Sequence, residues 1–259
     1  MFFHNTYHIW KREVKGYLYT PIAYVFVGVF TLIMGYMFAK FLQSYFIYTQ
    51  QSQFRMGQTV TIDRLAEAYY ANMHVMLLFI LPFFTMRLFS EEMRQNTFAL
   101  LMTSPIRSWE LTLAKFSAGA TVLSAMLLMT SFCPIFLILY SAKGAGPDLG
   151  ILFTSYLGLY LCGLCYIGVG LFWSTVTKSQ MVAAMMTWAN LLLLWLVGLG
   201  AGQGESVAQT VTKHLAVFEH FSKFLRGSVE LQSLVYLVGL IFLTLFLSNR
   251  AIESRSWRS

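Results

Sequence analysis

Cys162 and Cys165 spell C-x-x-C, the spacing of a dithiol redox pair or half of a zinc site. Both sit inside the apolar run LGLYLCGLCYIGVGLFW, where a thiolate is costly, and no second Cys/His pair stands nearby. They read as small core residues. His74, near the start of another apolar run, reads as packing at a helix end. His4, His8 and Glu13 near the beginning, and Glu219 and His220 near the end, are the polar groups a membrane-embedded lipid-modifying enzyme could use, but neither set has a convincing partner arrangement. No G-x-x-x-x-G-K-[ST] phosphate cradle, H-E-x-x-H metal motif or G-x-S-x-G nucleophile elbow occurs. The third to sixth apolar runs hold almost no carboxylate or imidazole away from their ends, and a proton-coupled carrier or ion pump needs such groups. The chain therefore reads as a non-enzyme that binds no cofactor or metal. If it does active work, another chain supplies the energy.

The elements that carry these residues follow from solvent preference. Of 259 residues, 57% are hydrophobic and 11% charged, against about 25% charged in a soluble domain. Such a chain cannot make a water-facing surface and is expected in lipid. The net charge of +7 would raise nucleic acid as a partner in a soluble protein. Here the charges flank apolar runs and orient them instead.

A crossing needs about 20 apolar residues. Six runs satisfy this, at 21–42, 70–88, 109–141, 150–175, 180–201 and 229–249. The first starts only at Pro21 and reads as an uncleaved span. The third is too long for a straight crossing, and Pro134 marks its expected kink. Residues 2–19 precede them. Ile9, Trp10, Val14, Tyr17 and Leu18 fall near one helical face, with Lys11, Arg12 and Lys15 interleaved, as in an amphipathic helix lying in the membrane interface. The plainer alternative is a flank that only sets topology. With both termini inside, the inner Lys and Arg number 11 of 18 and crowd the helix ends. The expectation is one all-α membrane domain over 1–259, with six transmembrane helices behind an N-terminal interfacial helix and both termini cytoplasmic.

The segment LFSEEMRQNTFALLMTSPIRSWELTLAKF, 88–116, links the second and third spans. Ser90 is placed to cap a helix whose first turn holds Glu91 and Glu92, matching the positive end of the macrodipole. Leu100 and Leu101 supply apolar surface, and Ser104–Pro105 ends the element. Ser108, with Glu110 behind it, is placed to cap the third span. A short amphipathic helix over 89–105 at the cytoplasmic surface can dock in a groove of a soluble partner and pass motion to the spans.

The run Glu91-Glu92, Thr97, L-L-M-T-S-P-I and then W-E and K-F resembles the coupling-helix region of type-two ATP-binding-cassette (ABC) exporter permeases. The stretch R-E-V-K-G-Y-L-Y-T-P-I-A-Y from Arg12, and E-H-F-S-K-F-L-R-G-S-V from Glu219 with the closing E-S-R-S-W, resemble the gliding-motility-associated branch of that family. Asn96 stands where that family usually has Gly, and Ala114 precedes Lys115 in place of its usual Gly. The resemblance implies an exporter permease dimer in a bacterial inner membrane. A second permease subunit, identical or related, would complete the pore. Two copies of a cytoplasmic ABC ATPase would use ATP and Mg, and a periplasmic accessory protein is a possible further partner. Nucleic acid is not one. Glu91, Glu92, Thr97, Leu100, Leu101, Ser104 and Pro105 would face the ATPase. Residues 202–228 would form a re-entrant extracellular segment gated around Glu219, His220 and Phe221. Met76, Phe79, Phe83, Met185, Asn190 and Trp195 would line the dimer interface and pathway. The alternatives are the membrane-embedded enzyme and a non-transporting anchor of a secretion or motility assembly.

Overall fold

The computed structural model describes residues 2–54, 62–94, 107–140, 147–199 and 214–256. These are helical throughout, with no strand among the described residues. The helices are α1 Phe2–Tyr19, α2 Pro21–Phe54, α3 Ile62–Thr85, α4 Arg87–Arg94, α5 Ser108–Thr130, α6 Phe132–Tyr140, α7 Leu149–Val176, α8 Gln180–Leu199, α9 Val217–Leu225 and α10 Leu231–Ser256. Six stretches among them are long and apolar enough to cross a membrane: Ala23–Ile47, Asp63–Arg94, Ser108–Leu139, Leu149–Val176, Gln180–Gly198 and Leu231–Ser254.

Breaks fall where the backbone loses donors. Thr20 separates α1 from α2, and Pro21 opens α2 at a position whose missing N–H has no helical partner anyway. Pro82, inside α3, removes a helical hydrogen bond. The helix ends one turn later at Thr85, and α4 restarts at Arg87 after Met86, whose N–H donates to the Pro82 carbonyl at 3.0 Å. The long third run breaks at Ser131, one turn ahead of Pro134, whose missing N–H leaves the Thr130 carbonyl without its helical donor. The helix of the second crossing begins at Ile62 rather than 70, because its first turns are a polar extension with Asp63, Arg64 and Glu67.

α7 is the axis of the bundle and packs against α3, α4, α5, α8, α9 and α10. Its glycines permit this, one neighbour each. A Cβ at Gly158 would stand 2.8 Å from Phe224 of α9, and one at Gly163 would stand 2.6 Å from Leu123 of α5. A Cβ at Gly168 would collide with Thr244 Oγ1 of α10, and one at Gly170 with Thr85 Oγ1 of α3. Small residues at each crossing let helices approach where lipid gives no hydrophobic drive to associate. Cys162 and Cys165 share this core, both fully buried, and Cys165 Sγ donates to the Leu237 carbonyl at 3.3 Å.

One substitution tests the packing. The Thr244 hydroxyl donates only back to its own helix, to the Leu240 and Ile241 carbonyls at 3.0 and 2.9 Å. Gly168→Ala is expected to cost about 1–3 kcal/mol by overpacking and to lower the midpoint of thermal unfolding in detergent. Adding Thr244→Ala leaves 3.3 Å to the Thr244 Cβ and should restore most of the loss. If the double variant unfolds as early as the single one, contact at this crossing does not set the spacing of α7 and α10.

Candidate functional site

At the end of the bundle where α3 passes into α4, three helices meet on one cation. Lys115 of α5 is 2% exposed. Its Nζ donates to Glu92 Oε1 of α4 at 2.9 Å and to Glu13 Oε1 of α1 at 3.3 Å, and it stands 5.0 Å from the Phe89 ring centre. A buried ammonium needs this company, since taking it from water is costly unless charge and hydrogen bonds compensate. Around it lies a small apolar cluster of Ile9, Leu88, Phe89, Met93, Leu111, Ala114, Leu171, Leu245 and Ile252. Lys115, counted from the sequence among the inner cations that orient the spans, is buried here, and Glu92, expected to face an ATPase, has Oε1 on Lys115 and is 19% exposed.

α4 has a second tie. Ser174, near the end of α7, accepts from the Phe89 and Ser90 N–H groups at 2.8 and 3.0 Å. Ser90 Oγ donates to the Ser174 carbonyl at 3.1 Å. A side chain 84 residues away thus satisfies amides in the first turn of α4. Ser90 is not the cap predicted for it but a buried residue within the helix. Ser108 is likewise not a cap: it is the first residue of α5. Arg107 holds the cap position, and its N–H donates to Glu110 Oε2 at 3.1 Å. Asn5 Nδ2 of α1 donates to the same oxygen at 3.4 Å. Trp10 Nε1 donates to Thr121 Oγ1 at 3.0 Å, so α1 is bound along α5. Lys11, Arg12 and Lys15 stay exposed.

Of the residues expected to meet a partner, Glu91 and Glu92 sit in the last turns of α4. Thr97, Leu100, Leu101, Ser104 and Pro105 lie outside the described residues. The structure brings α4, α1 and α5 to one end of the bundle, a meeting that no local motif announces.

At the other end of α7 lies α9. Gly227, with φ of 78°, closes it in the left-handed conformation glycine tolerates. Thr154 Oγ1 of α7 donates to the Phe224 carbonyl at 2.9 Å. Phe221 is fully buried and stacks on the His74 imidazole, ring centres 4.7 Å apart and planes 12° apart. His74 is not at a helix end. It lies fully buried in mid-α3, its Nε2 2.7 Å from the Tyr166 hydroxyl. The lone-histidine pattern gave no hint of that partner, 92 residues away on α7. His220 stacks on Tyr236 of α10 at 4.2 Å, lies 3.1 Å from Ser233 Oγ through Nδ1, and lies 3.1 Å from the His214 carbonyl through Nε2. Its partners fit a neutral ring that donates from Nε2 and accepts at Nδ1. Glu219 stands on the first turn of the same helix, half-buried.

Burial, only partly offset by the His214 carbonyl, holds the His220 imidazole below its ordinary range. The unfolded chain then takes up a proton that the folded chain refuses as pH falls below the ordinary value of about 6.5. Stability is full above that value and declines below it. Thermal unfolding between pH 7.5 and 5.5 should show a falling midpoint, and His220→Gln should flatten that fall. An equal slope in both proteins would assign the pH response to other groups.

α3 and α8 pack together and present a broad apolar face. Phe79, Phe83 and Met185 are exposed on it, and Phe79 lies 5.8 Å from the Trp188 ring. Met76, Asn190 and Trp195 are half-buried on the same two helices. No group of three or more metal-ligating side chains occurs among the described residues.

No curated protein matches the chain. A family model described as ABC-2 family transporter protein matches residues 7–238, which takes in every element from α1 to the first turns of α10. Members of that family are in general membrane subunits of transporters without a nucleotide-binding domain of their own, and normally work with a cytoplasmic ATPase subunit. With its six apolar helices, the chain belongs to the ABC-2 family of transporters as a multi-pass membrane permease.

Proposed function

We propose that this chain is the permease subunit of an ATP-driven exporter in a bacterial cytoplasmic membrane, with both termini cytoplasmic, and that α4 with residues 95–106 receives the push of a separate ATPase. The observation that carries this reading is how α4 is tied. It is covalently continuous with α3, hydrogen-bonded to α7 through Ser174, and ion-paired to α5 beside Glu13 of α1 through Lys115. A force applied to α4 therefore reaches four helices through short contacts, including the axis of the bundle. Packed cores respond to such a push by switching arrangement rather than by bending continuously. Glu91, the exposed end of α4 at Arg94, and Thr97, Leu100, Leu101, Ser104 and Pro105 beyond it form the docking element.

Two ATPase copies hydrolyse ATP with Mg, while this chain binds no cofactor. A second permease, identical or related, pairs along the α3–α8 face. α9, with Glu219, His220 and Phe221, closes the extracellular end as a gate. The motifs at Arg12–Tyr24 and Glu219–Val229 support a reading within the gliding-motility-associated branch. The work done is movement of a substrate or mechanical work on a membrane assembly.

The test is recovery from native membranes in mild detergent. An ATPase should come down with the chain, and its hydrolysis should change when the permease is added back. Repeated recovery of the permease with no ATPase would overturn the reading.

A further inference from the structure

The exposed face of α1 carries a feature the transport reading does not use. His4, His8, Lys11, Arg12 and Lys15 are all exposed. At about 100° per residue they fall within an arc of about 100°. The opposite face carries Ile9, Glu13 and Tyr17 against the bundle. The one carboxylate of α1, Glu13, is turned to Lys115, although its Oε1 also lies 3.3 Å from Arg12. The outer ridge is therefore a cationic stripe without an acidic row beside it. His4 and His8 Nε2 atoms are 3.1 Å apart, so one ring donates to the other and the pair stands ordered at the head of the stripe. Tyr7, Leu18 and Tyr19 flank it, 51%, 56% and 85% exposed, and Lys11 Nζ lies 6.0 Å from the Tyr7 ring centre. The helix that carries the first candidate span, Ala23–Ile47, starts at Pro21.

We propose that this stripe is a binding surface for anionic phospholipid headgroups. The argument is charge complementarity combined with the flanking rings. Lys and Arg pair with phosphate, and amphipathic Tyr side chains settle at headgroup depth, where one end is apolar and the other wet. An acidic protein surface would satisfy the cations but leave Tyr7, Leu18 and Tyr19 without an apolar medium. A stripe that continues into a membrane-spanning helix already lies beside headgroups. Each Lys or Arg near an anionic surface contributes about 1 kcal/mol. Lipid binding there would seat α1, and through Glu13 and Trp10 it would steady α5 and the Lys115 junction.

The experiment is native mass spectrometry of the full chain in detergent, titrated with phosphatidylglycerol or phosphatidylcholine. The wild-type protein should prefer phosphatidylglycerol, and the preference should fall as ionic strength rises. The variant Lys11→Gln/Arg12→Gln/Lys15→Gln should lose on the order of 100-fold of that preference and keep its phosphatidylcholine binding. Lys11→Arg/Lys15→Arg should behave as wild type. No preference in the wild-type protein, a salt-insensitive preference, or an undiminished preference in the neutral variant would each overturn the proposal. So would a neutral variant that keeps its lipid preference but no longer recovers the ATPase, since the stripe would then serve a protein partner. The lipid titrations are made without the ATPase, so their failure leaves the docking of α4 untouched.

Discussion

Lys115→Met is expected to be the most damaging single change in the protein. It takes the buried ammonium from between Glu92 and Glu13, both less than a fifth exposed, and leaves the exposed Arg12, 3.3 Å from Glu13, as the cation beside them. Breaking a buried ion pair by removing one partner costs about 3–5 kcal/mol, mostly the penalty of the charge left behind. The midpoint of thermal unfolding in detergent should fall by roughly 6–20 °C. The triple variant Glu13→Gln/Glu92→Gln/Lys115→Met removes the two carboxylate charges as well and should recover much of that loss, because replacing a whole buried ionic set is often neutral. The separation of the triple variant from the single one is the informative quantity. If both unfold together, the carboxylate charges left behind do not account for the loss.

Ser174→Val comes second. The hydroxyl is the acceptor for two amides of α4, and valine offers none. Each hydrogen bond lost costs about 0.5–1.5 kcal/mol, so a drop in stability is expected. The larger consequence falls on α4. With its first turn released from α7, a push on α4 no longer reaches the bundle axis, and stimulation of the partner ATPase by the permease should fall more than stability does. Ser174→Thr keeps an oxygen at the position and should retain part of both properties. Ser90→Ala removes the return bond to the Ser174 carbonyl and the 3.3 Å contact between the two hydroxyls but keeps both amide bonds, so it should be mild. A Ser174→Val protein of wild-type stability that still stimulates the ATPase fully would mean that α4 is held by other contacts.

The sequence made the solvent legible. The six apolar runs, the amphipathic Phe2–Tyr19 segment and the break at Pro21 are local patterns, and the helices sit where those patterns lie. Pro134 was legible as a break for the same reason, since a proline acts on its own turn. The junctions were not. Lys115 read as a flank because its position near the head of a span is what an orienting cation looks like. Only contact with Glu13 and Glu92, 102 and 23 residues away, makes it a buried partner. Ser174 is one hydroxyl in an apolar helix, and Ser90 and Ser108 read as caps because serine before a helical run has a strong local preference for that role. In the fold, a distant hydroxyl serves the α4 amides, and the cap position of α5 falls to Arg107, whose N–H donates to Glu110. His74 was assigned to a helix end because the polar extension of α3 hid where the helix began. The glycines of α7 were visible, but their division among α9, α5, α10 and α3 depends on which helices surround them, and a single sequence carries no record of that.

The central claim is that α4 stands on the cytoplasmic side and receives force from a separate ATPase. The direct test is an Arg94→Cys variant treated with a membrane-impermeant maleimide. The background is low, because Cys133, Cys162 and Cys165 are all buried. Arg94 is exposed at the end of α4. The account predicts labelling in inside-out vesicles, protection when the ATPase is bound, and no labelling in intact cells. Labelling in intact cells would put α4 on the far side of the membrane from any ATPase and would contradict the account outright.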